Sequence, residues 1–186
     1  YPVTTDGYSA PYYLSTAVAS ATYLFAGLIF IYRTLRMFTQ KHVGMLATLS
    51  IWIASPLIYF SFIRQRMAHT SEFFLVAVLI YIWIRFRQSR RPIHYAVIGT
   101  ILGLLCMTRV INVSFFALFA VDLLWKFCLD WKANPAGAVK KFLILVGALG
   151  GGFLLTMLPQ IYCWYQLNGV PFPPRHMKFA GEGLTG

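Results

Sequence analysis

The sequence predicts an all-α membrane protein, a polytopic bundle of about six transmembrane or re-entrant helices that forms a single region over residues 1–186. Three observations carry this. The chain is 59% hydrophobic and only 11% charged, whereas an average soluble domain has roughly 45–50% apolar and about 25% charged residues. So few charges cannot cover a water-facing surface, and the mean hydropathy of +0.66 agrees. Apolar runs of membrane-crossing length recur along the chain, about 20 residues being enough to span the hydrocarbon core. The cationic residues gather in the short stretches between those runs. Aromatic residues make up 17% of the chain, and Trp and Tyr favour the half-wet bilayer interfaces.

Six helices follow from the runs, over residues 12–32, 43–63, 68–84, 93–108, 113–127 and 142–165. Charge orients them, because Lys and Arg concentrate in cytoplasmic connections. Arg33, Arg36 and Lys41 follow the first run; Arg85, Arg87, Arg90 and Arg91 follow the third; Lys126, Lys132, Lys140 and Lys141 precede the last. These are eleven of the 16 Lys and Arg, the others being Arg64, Arg66, Arg109, Arg175 and Lys178. With the eleven inside the cell, both ends of the chain face outward. The stretch from Ile93 to Leu129 then has cytoplasmic flanks on both sides and must hold an even number of crossings. It therefore divides into two short helices that turn near Arg109 and Asn112, as full crossings or as a re-entrant hairpin. Non-helical backbone at such depth is tolerated only beside protein or a water-filled cavity.

Two glycine pairs, Gly99 with Gly103 and Gly147 with Gly151, have the small-xxx-small spacing that lets membrane helices approach closely. Pro56 and Pro159 fall inside spans and are expected to kink them. The segment Pro171, Phe172, Pro173 and Pro174 reads as an extended outer loop. Cys106, Cys128 and Cys163 lie in or beside apolar runs with no CxxC spacing, which points to buried packing over metal or redox work. A net charge of +11 would suggest nucleic acid in a soluble protein; here it is explained by topology, and no nucleic-acid partner is expected.

Phosphate-cradling glycine loops, HExxH and GxSxG are absent from the sequence. No cofactor is evident, and a role for a divalent metal stays open. Chemistry must come from polar residues at the membrane faces, where ionisable groups mark function by default. Arg64, Arg66, His69 and Glu72 cluster between the second and third runs, and a helix would stack His69 and Glu72 on one face. Such a cluster holds an anion or moves a proton, or is simply a wet loop. Arg109 ends an apolar run, with Asn112 three residues on. A guanidinium at that depth needs an anion, and phosphate suits its bidentate fork; the alternatives are snorkelling to the interface or pairing with Glu72. Asp122 has Lys126 four residues later and reads as a local helix pair. Asp6, Arg175, His176, Lys178 and Glu182 fall in outer segments. An outward-facing general base would be Asp6, Glu72 or Glu182, or would lie outside the sequence.

Several strings taken together point further: GYSAPYY at 7–13, SPLIYFSFIRQRMAHTSEFFLVAVLIYIWIRFR at 55–87, GLLCMTRVINVSF at 103–115, PQIYCWYQLNGVPF at 159–172 and GEG at 181–183. Their order and spacing resemble bacterial integral-membrane glycosyltransferases of the GT-C fold, family 39-like, related to the protein O-mannosyltransferases and the aminoarabinose–lipid A transferase. The resemblance implies a polyprenyl-phosphate-linked sugar as donor and transfer of a hexose or pentose on the outer face of the cell inner membrane. Such a transfer needs positive charge at the departing phosphate, which outward-facing Arg109, Arg64 and Arg66 would supply, with His69 and Asn112 as further binding candidates. It also implies a catalytic carboxylate in a long outer loop that would fall mainly before Tyr1. The chain is thus expected to be part of a longer protein, with the catalytic acidic loop outside it and Asp6 and Glu72 as weaker candidates. Two other readings, a transporter or flippase and a non-catalytic membrane subunit, are compatible with composition alone. A second, repeated half would favour the transporter.

Overall fold

Residues 10–63 and 68–172 are described by the structure, a computed structural model. They form helices α1 (Ala10–Leu35), α2 (Lys41–Ala54), α3 (Leu57–Phe62), α4 (His69–Phe86), α5 (Pro92–Thr108), α6 (Phe116–Ala133) and α7 (Pro135–Asn168), with a 3-10 turn, Val110–Phe115, leading into α6. No strand occurs among the described residues. Four stretches are long and apolar enough to cross a membrane: α1, α4, the turn continued through α6, and α7; α5 is apolar but has only 17 residues. Within an 18-residue apolar window of each, only 17–22% of residues are buried inside the protein. Leu14, Ile53, Leu143 and Leu155 are among the large side chains left exposed, a surface that suits lipid as solvent and not water.

The run over 43–63, expected as one helix, is two. Proline disfavours helical geometry in the residue before it, and Ser55, which precedes Pro56, is extended at φ −106° and ψ 160°. Neither α2 nor α3 alone reaches spanning length. Pro159 behaves otherwise: α7 continues through it to Asn168. This helix also begins seven residues earlier than hydropathy suggests. Asn134 caps it by accepting from the Gly137 N–H, and Pro135 fills the first position, where no N–H is needed. Gly169, left-handed at φ 70°, ends it.

Contacts fix the directions of the helices. Ser20 and Thr70 share a buried hydrogen bond of 3.0 Å, and farther along Phe30 meets Tyr81, so α1 and α4 run parallel. Phe86 stacks on His94 across the α4–α5 connection, so α5 returns. Gly152 packs on Ala96, and Gly103 on Thr156, making α5 and α7 parallel. The α2–α3 pair therefore runs back between α1 and α4, with Phe25 against Trp52.

Helix α5 is the centre. Tyr95, Ile98, Ile101, Leu102 and Leu105 are buried on it and pack with Leu79, Phe119, Leu123, Leu145 and Leu149. Apolar burial alone gives helices little reason to associate in lipid, so close backbone packing must supply the attraction. The α5–α7 crossing does so. A Cβ placed on Gly99 would collide with the Leu149 carbonyl, and one on Gly152 with the Ala96 carbonyl. The expected Gly147–Gly151 pair is not this interface: nothing lies within 4 Å of where their Cβ atoms would be. The packed row on α7 is displaced by one residue, to Gly152 with Thr156 one turn on. Hydroxyls inside the bundle are satisfied by the preceding turn, as Thr48 on Gly44 and Thr156 on Gly152. Of the cysteines expected to be buried, Cys106 is; Cys128 and Cys163 lie on exposed faces.

Candidate functional site

The start of α4 and the end of α5 meet at one end of the bundle, and the polar residues singled out in the sequence come together there. The end of α5 is set by Arg109, extended at φ −152° and ψ 127°. Its guanidinium reaches back to α4, with Nη2 3.3 Å from His69 Nε2 and Nε 3.8 Å from Glu72 Oε2. One turn of α4 brings His69 Nδ1 to 3.9 Å from the same carboxylate oxygen. The His69 ring lies over Phe60 at 4.0 Å, which fixes the imidazole between α3 and α5. The pairing of Arg109 with Glu72, one of the alternatives open from sequence, is thus present. It does not enclose the guanidinium: the Arg109 side chain is 49% exposed, against 19% for Glu72.

Asn112 lies in the turn that follows Arg109. It is buried, and its amide donates to the Leu105 carbonyl at 3.0 Å and to Thr108 Oγ1 at 3.3 Å. The Leu105 carbonyl also accepts from the Arg109 N–H and the Thr108 hydroxyl, so the amide, itself satisfied by these bonds, ties the 3-10 turn back to the last turn of α5. The amide therefore holds the backbone from which Arg109 projects. Arg64, Arg66 and Asp6 lie outside the described residues, as do Arg175, His176, Lys178, Glu182 and the second half of the proline-rich loop.

Beside the cluster an apolar groove opens between α1, α4 and α5, lined by Tyr23, Phe74, Leu75, Leu104 and Met107. Its polar lining comes from Ser71 and Thr108, the sequence neighbours of Glu72 and Arg109. Hydropathy could not reveal this groove, because its residues look like any other lipid-facing positions. A larger and almost wholly apolar groove lies between α1 and α2, lined by Phe25, Leu28, Ile29, Tyr32, Met45, Thr48, Leu49 and Trp52.

The opposite end of the bundle holds a second charged network. Asp122, only 5% exposed, accepts from Lys126 Nζ at 2.6 Å and faces Arg87 at 3.5 Å. Lys126 also donates to the Tyr95 hydroxyl at 2.8 Å, and Arg90 pairs with Asp130. The Asp122–Lys126 pair is the one expected from spacing. Tyr95, Arg87 and the Arg90–Asp130 pair carried no local signal, since their partners are 31 to 40 residues away in sequence. Every group in this network is matched, so it joins α4, α5 and α6 and is not a reactive site. Among the described residues no three His, Cys, Asp or Glu side chains converge as a metal-binding group. No known protein family, curated protein or solved structure matches the chain.

Proposed function

We propose that the chain is the membrane region of a glycosyltransferase that moves a sugar from a polyprenyl-phosphate donor to an acceptor on the outer face of the cell inner membrane. The reading takes the helices as six crossings, with α2–α3 and α5 completing the four long stretches. Both ends then face outside, and the end bearing Arg87 and Lys126 faces the cytoplasm.

The observation that carries it is a half-exposed guanidinium beside an apolar groove. Arg109 offers a half-exposed cationic fork, and its neighbour Thr108 lines, with Tyr23, Phe74, Leu75, Leu104 and Met107, an apolar trough. That combination suits an amphiphile with an anionic head and a hydrocarbon tail. When a sugar leaves a lipid phosphate, the bond from its anomeric carbon to the phosphate oxygen breaks and that oxygen gains negative charge. A fixed guanidinium stabilises the change. Arg64 and Arg66, which precede α4 in the sequence, are the further cations this reading assigns to the donor phosphate. The acceptor hydroxyl needs a base. Glu72, 3.8 Å from Arg109 and 3.9 Å from His69, and Asp6 are the candidates within the chain.

Binding of a polyprenyl phosphate to the purified protein tests the reading. Loss of a charge-assisted contact costs about 1.5–3 kcal/mol, so Arg109→Ala should weaken binding roughly ten- to hundred-fold. Arg109→Lys keeps the charge but not the fork and should recover only part of the loss. Glu72→Gln, which removes the competing carboxylate charge, should leave binding intact or tighten it. Equal binding by Arg109→Lys and wild type, or an Arg109→Ala protein that loses stability while still binding the lipid, would refute the phosphate role.

A further inference from the structure

We propose that the basic end of the bundle, and above all the tip of the α6–α7 hairpin, is a binding surface for the headgroups of anionic phospholipids. Parallel packing puts the ends of α1 and α4 and the starts of α5 and α7 on one face of the molecule. All eleven cationic residues of the three connections gather there, and ten of them are exposed, Lys126 being the exception. The sequence has five carboxylates. Glu72 belongs to the opposite end, and Asp6 and Glu182 lie outside the described residues. Asp122 and Asp130 are the two at this end, and both are already paired with Arg87, Lys126 and Arg90. Arg85, Arg91, Lys132, Lys140 and Lys141 have no carboxylate of the described residues within ion-pairing distance.

The shape of this end selects the kind of anion. Ala96, one turn into α5, packs on Gly152, which is the eighteenth residue of α7. The first part of α7 therefore projects about 20 Å past the start of α5, at 1.5 Å per residue. The end of α6 accompanies it, with Phe127 against Phe142. On this projecting tip Lys132, Lys140 and Lys141 are interleaved with exposed Leu129, Trp131 and Leu143. A soluble phosphate or a nucleic acid would leave those apolar groups in water. A bilayer interface takes both kinds at one depth, the indole and leucines at the acyl boundary and the ammonium groups among the phosphates. Each Lys or Arg near an anionic surface contributes roughly fivefold to the attraction.

Spin-labelled lipids measure the preference directly. The full chain, reconstituted in phosphatidylcholine bilayers, is probed with spin-labelled phosphatidylglycerol and with spin-labelled phosphatidylcholine at equal dose. The motionally restricted fraction of phosphatidylglycerol is expected to exceed that of phosphatidylcholine severalfold at low salt. At 1 M salt, where the screening length is about 3 Å, the two should converge. The variant Lys132→Gln/Lys140→Gln/Lys141→Gln should lose most of the low-salt preference with unchanged helical circular dichroism. If that variant does not fold, the salt titration of the wild type decides. Equal fractions of the two lipids at low salt, a preference that survives 1 M salt, or a folded triple variant with full preference would overturn the proposal. So would abolition of the preference by millimolar inorganic phosphate at constant ionic strength, which would mean a free-anion site.

Discussion

Substituting alanine at Gly152 should drive α5 and α7 apart, while the same substitution at Gly151, its immediate neighbour, should not. The Cβ at 152 would occupy space held by the Ala96 backbone carbonyl, and backbone cannot swing aside as a flexible side chain does. Overpacking of a fitted interior costs about 1–3 kcal/mol. At Gly151 and Gly147 the added methyl meets nothing within 4 Å. Exchanging glycine for alanine in a helix interior there should instead stabilise by about 0.5–1 kcal/mol. The two positions should thus differ by roughly 1.5–4 kcal/mol. For a chain of this size that corresponds to a gap of about 3–16 °C in unfolding midpoint. The assay is thermal loss of helical circular dichroism in one detergent for wild type, Gly147→Ala, Gly151→Ala, Gly152→Ala and Gly99→Ala. Since Gly99 and Gly152 lie in the same crossing, the double variant should cost less than the sum of the singles. Equal destabilisation by Gly151→Ala and Gly152→Ala, or a neutral Gly152→Ala, would refute the packing register.

Three further outcomes are expected. Asp122→Ala leaves Lys126 buried with only the Tyr95 hydroxyl and should cost about 3 kcal/mol in the same unfolding assay, whereas Tyr95→Phe should cost about 1 kcal/mol. Asn112→Ala should lower the unfolding midpoint by removing the bonds that tie the 3-10 turn to α5, at a cost of about 1–2 kcal/mol, and should weaken polyprenyl-phosphate binding in the protein that remains folded, because the backbone carrying Arg109 is no longer held. Cysteine introduced at Asn168 should be labelled by an impermeant reagent from outside the cell and cysteine at Ser89 should not; outside labelling at Ser89 would reverse the orientation.

Much of the fold is legible in the sequence because lipid imposes a simple rule, that an apolar run must satisfy its own backbone as a helix. The run at 12–32 lies within α1, and the break at Arg109 and Asn112 falls where polar residues interrupt an apolar stretch. The errors lie where hydropathy is silent. Ser55 leaves the helix for steric reasons that the apolar average ignores. Helix α7 starts at Pro135 because Asn134 caps it, a signal read from residue identity and not from hydrophobicity. Gly147, Gly151 and Gly152 all look suitable for close packing, and only the rotation of α7 against α5 selects Gly152. The candidate site was half visible. His69 and Glu72 share a face by spacing, but the distance from either to Arg109 is a property of two helices. Asn112 beside an arginine points to a polar site, and the packing of its amide against Leu105 and Thr108 is a property of the turn that spacing does not reveal. The groove beside Arg109 has no sequence signature at all.

A photoactivatable polyprenyl phosphate, with diazirines along its chain, offers the most direct test of the donor-lipid account. It is cross-linked to the reconstituted protein and the modified residues are mapped. The account predicts labels concentrated on Tyr23, Phe74, Leu75, Leu104 and Met107, and their loss in Arg109→Ala. Labels confined to the groove of Phe25, Tyr32 and Trp52, or spread evenly over the lipid-facing helices whether or not Arg109 is present, would contradict it.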